Sequence, residues 1–284
     1  MGTPMALRLI AAGHELSVWN RSEAKANPLI HEGAILAGTP AEAELGADAV
    51  ITMLWDDAAY EEVLFGSNGL FDALSPGGLH ISCSTISVAL SERLTAVYAN
   101  RGIDFVAAPV FGGPGDAEQD GLWAVAAGLD RAVTRARPLL EAVCRGITVV
   151  GKEPRQAYAV KLGGNFLVSA MIQSLGEAFV FASRLGVEPE TFFEAVNDAL
   201  FQSPFYAACA RTMLHPPQQT ASTIEMGAKD LNLLREAAAG VQTRMGLADR
   251  VAEIFAEARR IGPAGQDWVV GQYRMVQRRG VNIG

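Results

Sequence analysis

The first half of the chain alternates short apolar runs with longer stretches in which apolar residues recur at helical spacing. Short apolar runs are typical of buried strands, and the stretches between them are typical of amphipathic helices. The strand-like runs are residues 16–19, 49–54, 79–83, 105–108, 122–127 and 147–150. The helix-like stretches include residues 3–12, 22–32, 88–100 and 131–143. This alternation predicts a parallel sheet that is covered by helices on both faces.

After Gly151 the strand pattern stops and only helical patterns follow. Residues 154–185 read as one long, mostly apolar helix that ends at Gly186. Further helical stretches lie at residues 188–197, 223–239, 247–260 and 268–278. The long helix is too apolar to lie alone in water, so we expect other helices or a second subunit to cover it.

The change of pattern predicts two domains. We expect an α/β domain with a doubly wound, Rossmann-type parallel sheet over residues 1–152, followed by an all-α domain over residues 153–284.

Composition narrows the class of protein. Of the 284 residues, 50% are hydrophobic and 19% are charged, which is typical of a folded chain. The net charge of −8 and the lack of a basic run argue against nucleic-acid binding.

The cysteines and the apolar segments indicate the cellular compartment of the protein. Cys83, Cys144 and Cys209 have no metal-ligand spacing, which predicts no metal site and a reducing compartment. We find no signal peptide and no span of about 18 apolar residues, so we expect a cytoplasmic protein with no membrane partner.

The opening residues predict a helix with Pro4 in its first turn. A doubly wound nucleotide-binding domain normally begins with a strand and a glycine-rich turn before such a helix. Gly2 would be the third glycine of a G-x-G-x-x-G pattern whose strand and first two glycines are absent. A lone glycine is a weak signal, so an ordinary opening helix stays open as the alternative. We expect a natural chain that starts upstream of Met1, or a protein that binds its dinucleotide poorly.

The run 16–19 ends in Asn20, Arg21 and Ser22. In NAD-specific domains a carboxylate at this point binds the ribose 2′-hydroxyl. An arginine there instead donates paired N–H groups to a 2′-phosphate, which predicts NADP(H) over NAD(H). Ser22 is also a good N-cap for the next helix, and the two roles are compatible because a helix start binds phosphate.

Five segments resemble the β-hydroxyacid dehydrogenase family, which includes 3-hydroxyisobutyrate dehydrogenase and tartronate semialdehyde reductase. They are Ile51-Thr52-Met53-Leu54 with Trp55, Ser84-Thr85-Ile86-Ser87, Ala108-Pro109-Val110-Phe111-Gly112-Gly113 with Gly121-Leu122, Lys161-Leu162-Gly163-Gly164-Asn165, and Lys229-Asp230-Leu231. Each segment alone is weak evidence, but their joint order covers nearly the whole chain. The resemblance implies hydride transfer between a dinucleotide and a small 3-hydroxy acid or semialdehyde, in a homodimer or homotetramer assembled through the helical domain.

The resemblance also implies residue roles, with Lys161 as the catalytic proton donor and acceptor. The expected cofactor contacts include the turn residues described above, and the full set is Gly2, Asn20, Arg21, Ser22, Leu54, Trp55, Thr85 and Lys229. The expected substrate contacts are Phe111, Gly112, Gly113, Asn165 and Asp230.

The residues around Lys161 agree with this role. Lys161 and Asn165 are four apart, so they share one helix face. The apolar neighbours of Lys161 reduce its hydration, and we expect its pKa to fall toward neutrality. Such an ammonium can give its proton to an oxygen that gains charge as hydride arrives. The pattern alone leaves open a lysine whose stem packs on the helix while its ammonium reaches water.

The glycine- and proline-rich segment 109–121 predicts a loop without regular structure. Its bare backbone could approach an anion closely, although a plain surface connection is the alternative.

Phe111 stands where the family usually has serine, and Trp55 where it usually has proline. Losing the hydroxyl at position 111 predicts a substrate less hydroxylated than tartronate semialdehyde. Gly164 replaces a common asparagine, for which we have no functional account.

Two alternative functions stay open. One is an imine reductase on the same fold, whose members generally carry Asp or Tyr where Lys161 stands, and the other is a catalytically silent dinucleotide-binding scaffold.

Overall fold

The computed structural model describes residues 1–119, 121–218, 220, 222–263 and 265–281, the last three by their backbone only. The chain divides into two compact units, Met1–Lys161 and Leu162–Gly284. The division after Lys161 lies inside the long helix, whereas the change of pattern predicted a boundary after residue 152.

The first unit is built on eight described strands. They are β1 (Ser17–Val18), β2 (Ile35–Leu36), β3 (Val50–Thr52), β4 (Leu79–Ser82), β5 (Asp104–Ala107), β6 (Val110–Phe111), β7 (Trp123–Ala127) and β8 (Gly146–Gly151). All six strand-like runs of the sequence are strands in the structure. The two additions, β2 and β6, are only two residues long, which is too short to show a period.

The strands form two sheets. β1 and β2 pair in parallel, and the larger sheet has the order β3-β4-β5-β7-β6, with β8 paired to β7. The pairs β3–β4, β4–β5 and β7–β8 are parallel, as the pattern predicted. β7 runs antiparallel to β5 and β6. The β6–β7 connection is too short for the crossover that a parallel pair of strands needs.

Helices cover both faces of the larger sheet. The first unit holds α1 (Gly2–Ala11), α2 (Asn27–His31), α3 (Pro40–Glu44), α4 (Asp57–Phe65), α5 (Leu70–Ala73), α6 (Val88–Arg101), α7 (Pro114–Glu118) and α8 (Asp130–Val143). Leu79 and Ile81 of β4 belong to a core cluster with side chains of α1 and α8. The opposite cluster contains side chains of α4 and α6. The predicted doubly wound α/β fold class is confirmed.

Two local predictions in this unit were wrong. The stretch 22–32 is not one α-helix but a 3₁₀ turn, Glu23–Ala26, followed by the short α2, whose first turn contains Pro28, a residue without the N–H that a continuous helix would need there. The segment 109–121 contains β6 and α7 instead of irregular structure alone. Pro114 occupies the first turn of α7, and Asp116 Oδ2 accepts a hydrogen bond from the Gly113 N–H at 2.7 Å.

The second unit is helical in its described residues. Its elements are α9 (Pro154–Arg184, which begins in the first unit), α10 (Pro189–Val196), a π-helical turn (Asn197–Phe201), α11 (Pro204–Leu214), α12 (Ile224–Gly240), α13 (Gly246–Ile261) and α14 (Trp268–Val281). Gly186 ends α9 with a φ of +84°, a left-handed conformation that favours glycine. The sequence predicted every helix of this unit except α11.

Helix α9 is long and apolar enough, by length and composition, to cross a membrane. This corrects the sequence prediction, which found no apolar segment of that length. The core helix of a soluble protein passes the same test. Phe179 on α9 packs against Phe192, Phe193 and Tyr273, with ring centroids 6.1–6.4 Å apart. Its inner face is therefore part of the core of the second unit.

The three cysteines are free thiols, and all of them are buried. Burial raises the pKa of Cys209 to about 11 and holds the pKa of Cys83 well above its ordinary value. Among the described residues, no group of three or more His, Cys, Asp or Glu side chains is placed to hold a metal ion.

Candidate active site

The ends of β3 and β4 place three predicted cofactor residues beside one another. Leu54 and Trp55 follow β3, and Thr85 follows β4, its parallel neighbour. Ser84 Oγ accepts a hydrogen bond from the Leu54 N–H at 2.7 Å, which ties the two strand ends together. Trp55 is 52% exposed. Ligands of open α/β sheets bind at the carboxyl ends of parallel strands, and these residues lie at that edge.

The turn after β1 carries Asn20, Arg21 and Ser22. Asn20 Nδ2 donates to the Ser22 carbonyl oxygen at 2.8 Å, which orders the turn, and both Arg21 and Ser22 are exposed. The Ser22 hydroxyl makes no capping bond to the 3₁₀ turn that follows it. An amide, a guanidinium and a hydroxyl are donors that a phosphate accepts from, so the turn offers the chemistry of a phosphate site. The space where a side chain at Gly2 would begin is open.

Lys161 lies on α9 as the last residue of the first unit, and it is only 8% exposed. Its Nζ lies 4.5 Å from the centroid of the Phe111 ring, which is the geometry of a cation–π contact. The sequence left open a lysine whose stem packs on the helix while its ammonium reaches water. The burial of Lys161 argues against that alternative. The ring of Phe111 occupies the place of the serine common in the family and contacts the predicted catalytic amine.

The two glycines after Phe111 differ in backbone conformation and in the hydrogen bonding of their N–H groups. Gly112 has a φ of +115°, and a Cβ there would lie 2.8 Å from Leu122 Cδ2, so the position requires glycine. The Gly113 N–H already donates to Asp116 Oδ2 at 2.7 Å. This bond conflicts with the predicted contact between that N–H and a substrate carboxylate, because the Asp116 carboxylate occupies the donor and repels a second anion.

The second unit gathers its three predicted residues into one cluster. Asn165 Nδ2, on α9, donates to Asp230 Oδ2, on α12, at 2.6 Å. Lys229 Nζ lies 2.8 Å from Asp230 Oδ1 in an ion pair without hydrogen-bond geometry, since this buried oxygen accepts no hydrogen bond from the described residues. Asp230 is only 3% exposed, and a buried carboxylate needs such partners. The segments Lys161–Asn165 and Lys229–Leu231 thus lie on helices, and the side chains of Asn165, Lys229 and Asp230 meet.

Sequence reasoning missed a buried polar network beneath the ends of β3 and β4. His80 Nε2 lies 3.0 Å from Thr52 Oγ1, and its Nδ1 lies 2.6 Å from Tyr98 Oη. Tyr158 Oη donates to Ser82 Oγ at 2.8 Å. Burial lowers the pKa of His80 to about 3, so its imidazole is neutral at physiological pH. The polar residues at alternate positions of the apolar run 79–83 were the signal that could have revealed this network.

Both halves of the chain match known protein families. Residues 1–151 match the NAD binding domain of 6-phosphogluconate dehydrogenase. Residues 156–270 match a family described as NAD-binding, of NADP-dependent 3-hydroxyisobutyrate dehydrogenase. Together the two matches cover nearly the whole chain.

Individual relatives agree with these matches. An uncharacterised oxidoreductase of Bacillus subtilis is 39% identical over 94% of this chain and 94% of its own length. The chloroplastic glyoxylate/succinic semialdehyde reductase 2 of Arabidopsis thaliana is 29% identical over 94% of this chain and 75% of its own. Mycobacterium tuberculosis 3-hydroxyisobutyrate dehydrogenase, solved with L-serine, is 25% identical and superposes with a TM-score of 0.84 over 97% of this chain and 95% of its own.

An imine reductase from Myxococcus stipitatus, solved with NADP⁺, superposes less well. It is 20% identical, with a TM-score of 0.64 over 97% of this chain and 96% of its own. The similarity shows a common fold and carries no further conclusion about activity.

Proposed function

Because the chain belongs to the β-hydroxyacid dehydrogenase family, as its sequence segments predicted, we propose that it transfers a hydride between NADP(H) and a small 3-hydroxy acid or semialdehyde. The broader activity is that of an NAD(P)-dependent dehydrogenase or reductase acting on CH–OH groups, in common with its named relatives. The substrate class, the preference for NADP(H) and the roles of individual residues are the proposal.

The observation that carries the proposal is the position of Lys161. Its ammonium is nearly buried and lies against the face of Phe111, in the unit that also carries the strand-end residues Leu54, Trp55 and Thr85. The dinucleotide, when bound, supplies or accepts the hydride. As negative charge grows on the carbonyl oxygen, Lys161 Nζ donates its proton to that oxygen, and in the oxidative direction the neutral amine takes the alcohol proton.

The residues of the second unit hold the substrate in this proposal. The Asn165 amide donates to one oxygen of the Asp230 carboxylate, and the Lys229 ammonium pairs with the other. A carboxylate engaged on both sides orients its partners before a substrate arrives, which lowers the entropic cost of binding. Gly112 backbone remains available for a substrate carboxylate, whereas Gly113 requires Asp116 to move first.

The preference for NADP(H) is tested at Arg21. Replacing Arg21 with alanine removes a guanidinium from an exposed turn, so we expect NADPH affinity to fall about 10- to 100-fold and NADH affinity to change little. Fluorescence titration of both cofactors measures the two affinities.

The matched control for Arg21 is Arg137→Ala, which removes another exposed arginine, paired with Glu141 on α8. It should leave both affinities unchanged. Equal losses of NADPH and NADH affinity in Arg21→Ala would contradict the assignment of this turn to the 2′-phosphate.

The substrate class is tested at Phe111. A ring in place of a hydroxyl offers no hydrogen bond to a 2-hydroxyl group, so we expect kcat/KM for malonate semialdehyde to exceed that for tartronate semialdehyde by about tenfold. Phe111→Ser restores a hydroxyl and should reverse or abolish that preference. A wild-type preference for tartronate semialdehyde would refute this part of the proposal.

Assembly is proposed to involve the outward face of α9. Leu167, Phe181 and Leu185 are 66–70% exposed, although they are large and apolar. Their spacing, with Ser174 between them, places them along one stripe of the helix. A second copy of the chain would cover this stripe, in a homodimer or in a homotetramer.

A further inference from the structure

The beginning of α9 is attached to the core of the first unit by one buried hydrogen bond. Tyr158 Oη donates to Ser82 Oγ, at the end of β4, over 2.8 Å. Both residues are completely buried, and Tyr158 packs with Ala157 in the cluster that contains side chains of α4 and α6. The bond therefore joins the helix that carries Lys161 to the strand whose end carries Thr85.

The spacing along α9 relates this bond to Lys161. Tyr158 and Lys161 are three residues apart, so Lys161 lies about 4.5 Å further along the helix and about 60° around its axis. Such residues are neighbours on the helix surface. Any rotation or sliding of the first turns of α9 on β4 would carry the ammonium of Lys161 away from the Phe111 ring, which lies 4.5 Å from it.

We propose that Tyr158 is a positioning residue, whose hydrogen bond to Ser82 holds α9 so that the Lys161 ammonium stays against Phe111 and in line with the reacting oxygen. The inference rests on the proposed role of Lys161. Tyr158 acts through the helix and takes no part in the proton transfer itself.

The chemistry of Tyr158 fits a fixed donor. Burial holds the pKa of Tyr158 well above its ordinary value, so the phenol keeps its proton throughout the working pH range. The protonated phenol donates its hydrogen bond to Ser82. Removing the hydroxyl keeps the ring among the side chains of its cluster and removes this hydrogen bond to β4.

The central experiment compares Tyr158→Phe with Tyr98→Phe in the full-length protein. Tyr98 is an equally buried tyrosine of the same core cluster, and its hydroxyl lies 2.6 Å from His80 Nδ1. Each substitution removes one buried hydroxyl, so both should lower the unfolding midpoint by about 2–4 °C. Only Tyr158→Phe should lower kcat, by about tenfold with NADPH and malonate semialdehyde, while both KM values stay within about twofold.

A double-mutant cycle isolates the bond. Ser82→Ala should reproduce the loss of kcat, and Tyr158→Phe with Ser82→Ala should be no worse than the more impaired single variant, since both remove the same attachment. Additive losses in kcat would overturn the proposal.

A second measurement is independent of turnover. Acetic anhydride acetylates accessible amines, and mass spectrometry of the peptide that contains Lys161 gives its labelling rate in the cofactor-free protein. Labelling should rise several-fold in Tyr158→Phe and stay at the wild-type rate in Tyr98→Phe.

The two proposals fail in different ways. If wild-type protein turns over no semialdehyde, the proposed function is wrong, and the labelling rates still test the positioning of Lys161. If wild-type protein is active while Tyr158→Phe keeps both its kcat and its labelling rate, the positioning role is wrong. Equal losses of kcat in Tyr158→Phe and Tyr98→Phe would show a general loosening of the core and would also overturn it.

Discussion

Replacing Lys161 with alanine will lower kcat by about 10²- to 10⁴-fold, while the affinity for NADPH changes by less than about twofold. The reason is that the ammonium stabilises charge only as the carbonyl oxygen becomes negative, and the dinucleotide contacts are assigned to other residues. Single-turnover rates with malonate semialdehyde, together with fluorescence titration of NADPH, measure the two quantities separately.

Two further variants make the Lys161 test sharper. Lys161→Met keeps an unbranched stem against the Phe111 ring but has no proton to give, so it should be as inactive as the alanine variant. Lys152→Ala removes an exposed lysine that pairs with Asp130 and should retain full activity. If turnover survives in both Lys161 variants, the proton donor has been wrongly assigned.

Turnover of a substrate panel by the wild-type protein discriminates between the rival functions. A protein that reduces cyclic imines but no semialdehyde would be an imine reductase on this fold. A protein that binds NADPH and turns over neither class of substrate would be a dinucleotide-binding scaffold.

The free energy of unfolding will decrease in acid because of His80, by about 1.4 kcal/mol for each pH unit between pH 6 and pH 4. Burial lowers the pKa of the folded imidazole to about 3, whereas an unfolded histidine titrates near 6.5. Between these values the unfolded chain binds a proton that the folded chain does not, so acid favours unfolding. The contribution is fully present above about pH 6.5 and is lost as the pH falls toward 3.

Denaturant unfolding of wild-type protein and His80→Gln across this pH range measures the effect. The variant should be less stable at pH 7, because Thr52 and Tyr98 lose their common partner, but its stability should depend less steeply on pH. Should His80→Gln fail to fold, NMR of the wild-type imidazole gives the same information. A folded-state pKa of His80 near 6 would refute the prediction.

The fold was largely predictable from the sequence because its central strands are completely buried. A parallel strand with both faces covered is mostly apolar, and this produced the runs at residues 79–83 and 105–108, in which the buried polar residues His80 and Ser82 of β4 are exceptions. The missing elements fall into two kinds. β2, β6, α5 and α7 are too short to show a period, whereas α3, α4 and α11 carried usable signals, since Thr39, Asp56 and Ser203 cap them through their side chains.

Residues of the candidate active site were predictable only where helical spacing or resemblance to a family segment assigned them to an element. The helical positions of Lys161, Asn165 and Asp230 followed from these signals. The bond between the Gly113 N–H and Asp116 did not, because it depends on the closure of a turn and on one side-chain rotamer. The attachment of Tyr158 to Ser82 joins residues 76 positions apart, and a tyrosine in an apolar helix gives no sign of its partner.

The buried cysteines provide a practical reporter of motion in this protein. A thiol reacts as its thiolate, and Cys83, which directly precedes Ser84 and Thr85, is both inaccessible and held protonated. An alkylating reagent can therefore modify Cys83 only in molecules whose sheet has opened locally. The rate of its alkylation would measure how often the edge of the sheet around Thr85 opens, and a bound ligand that closes this edge would slow the reaction.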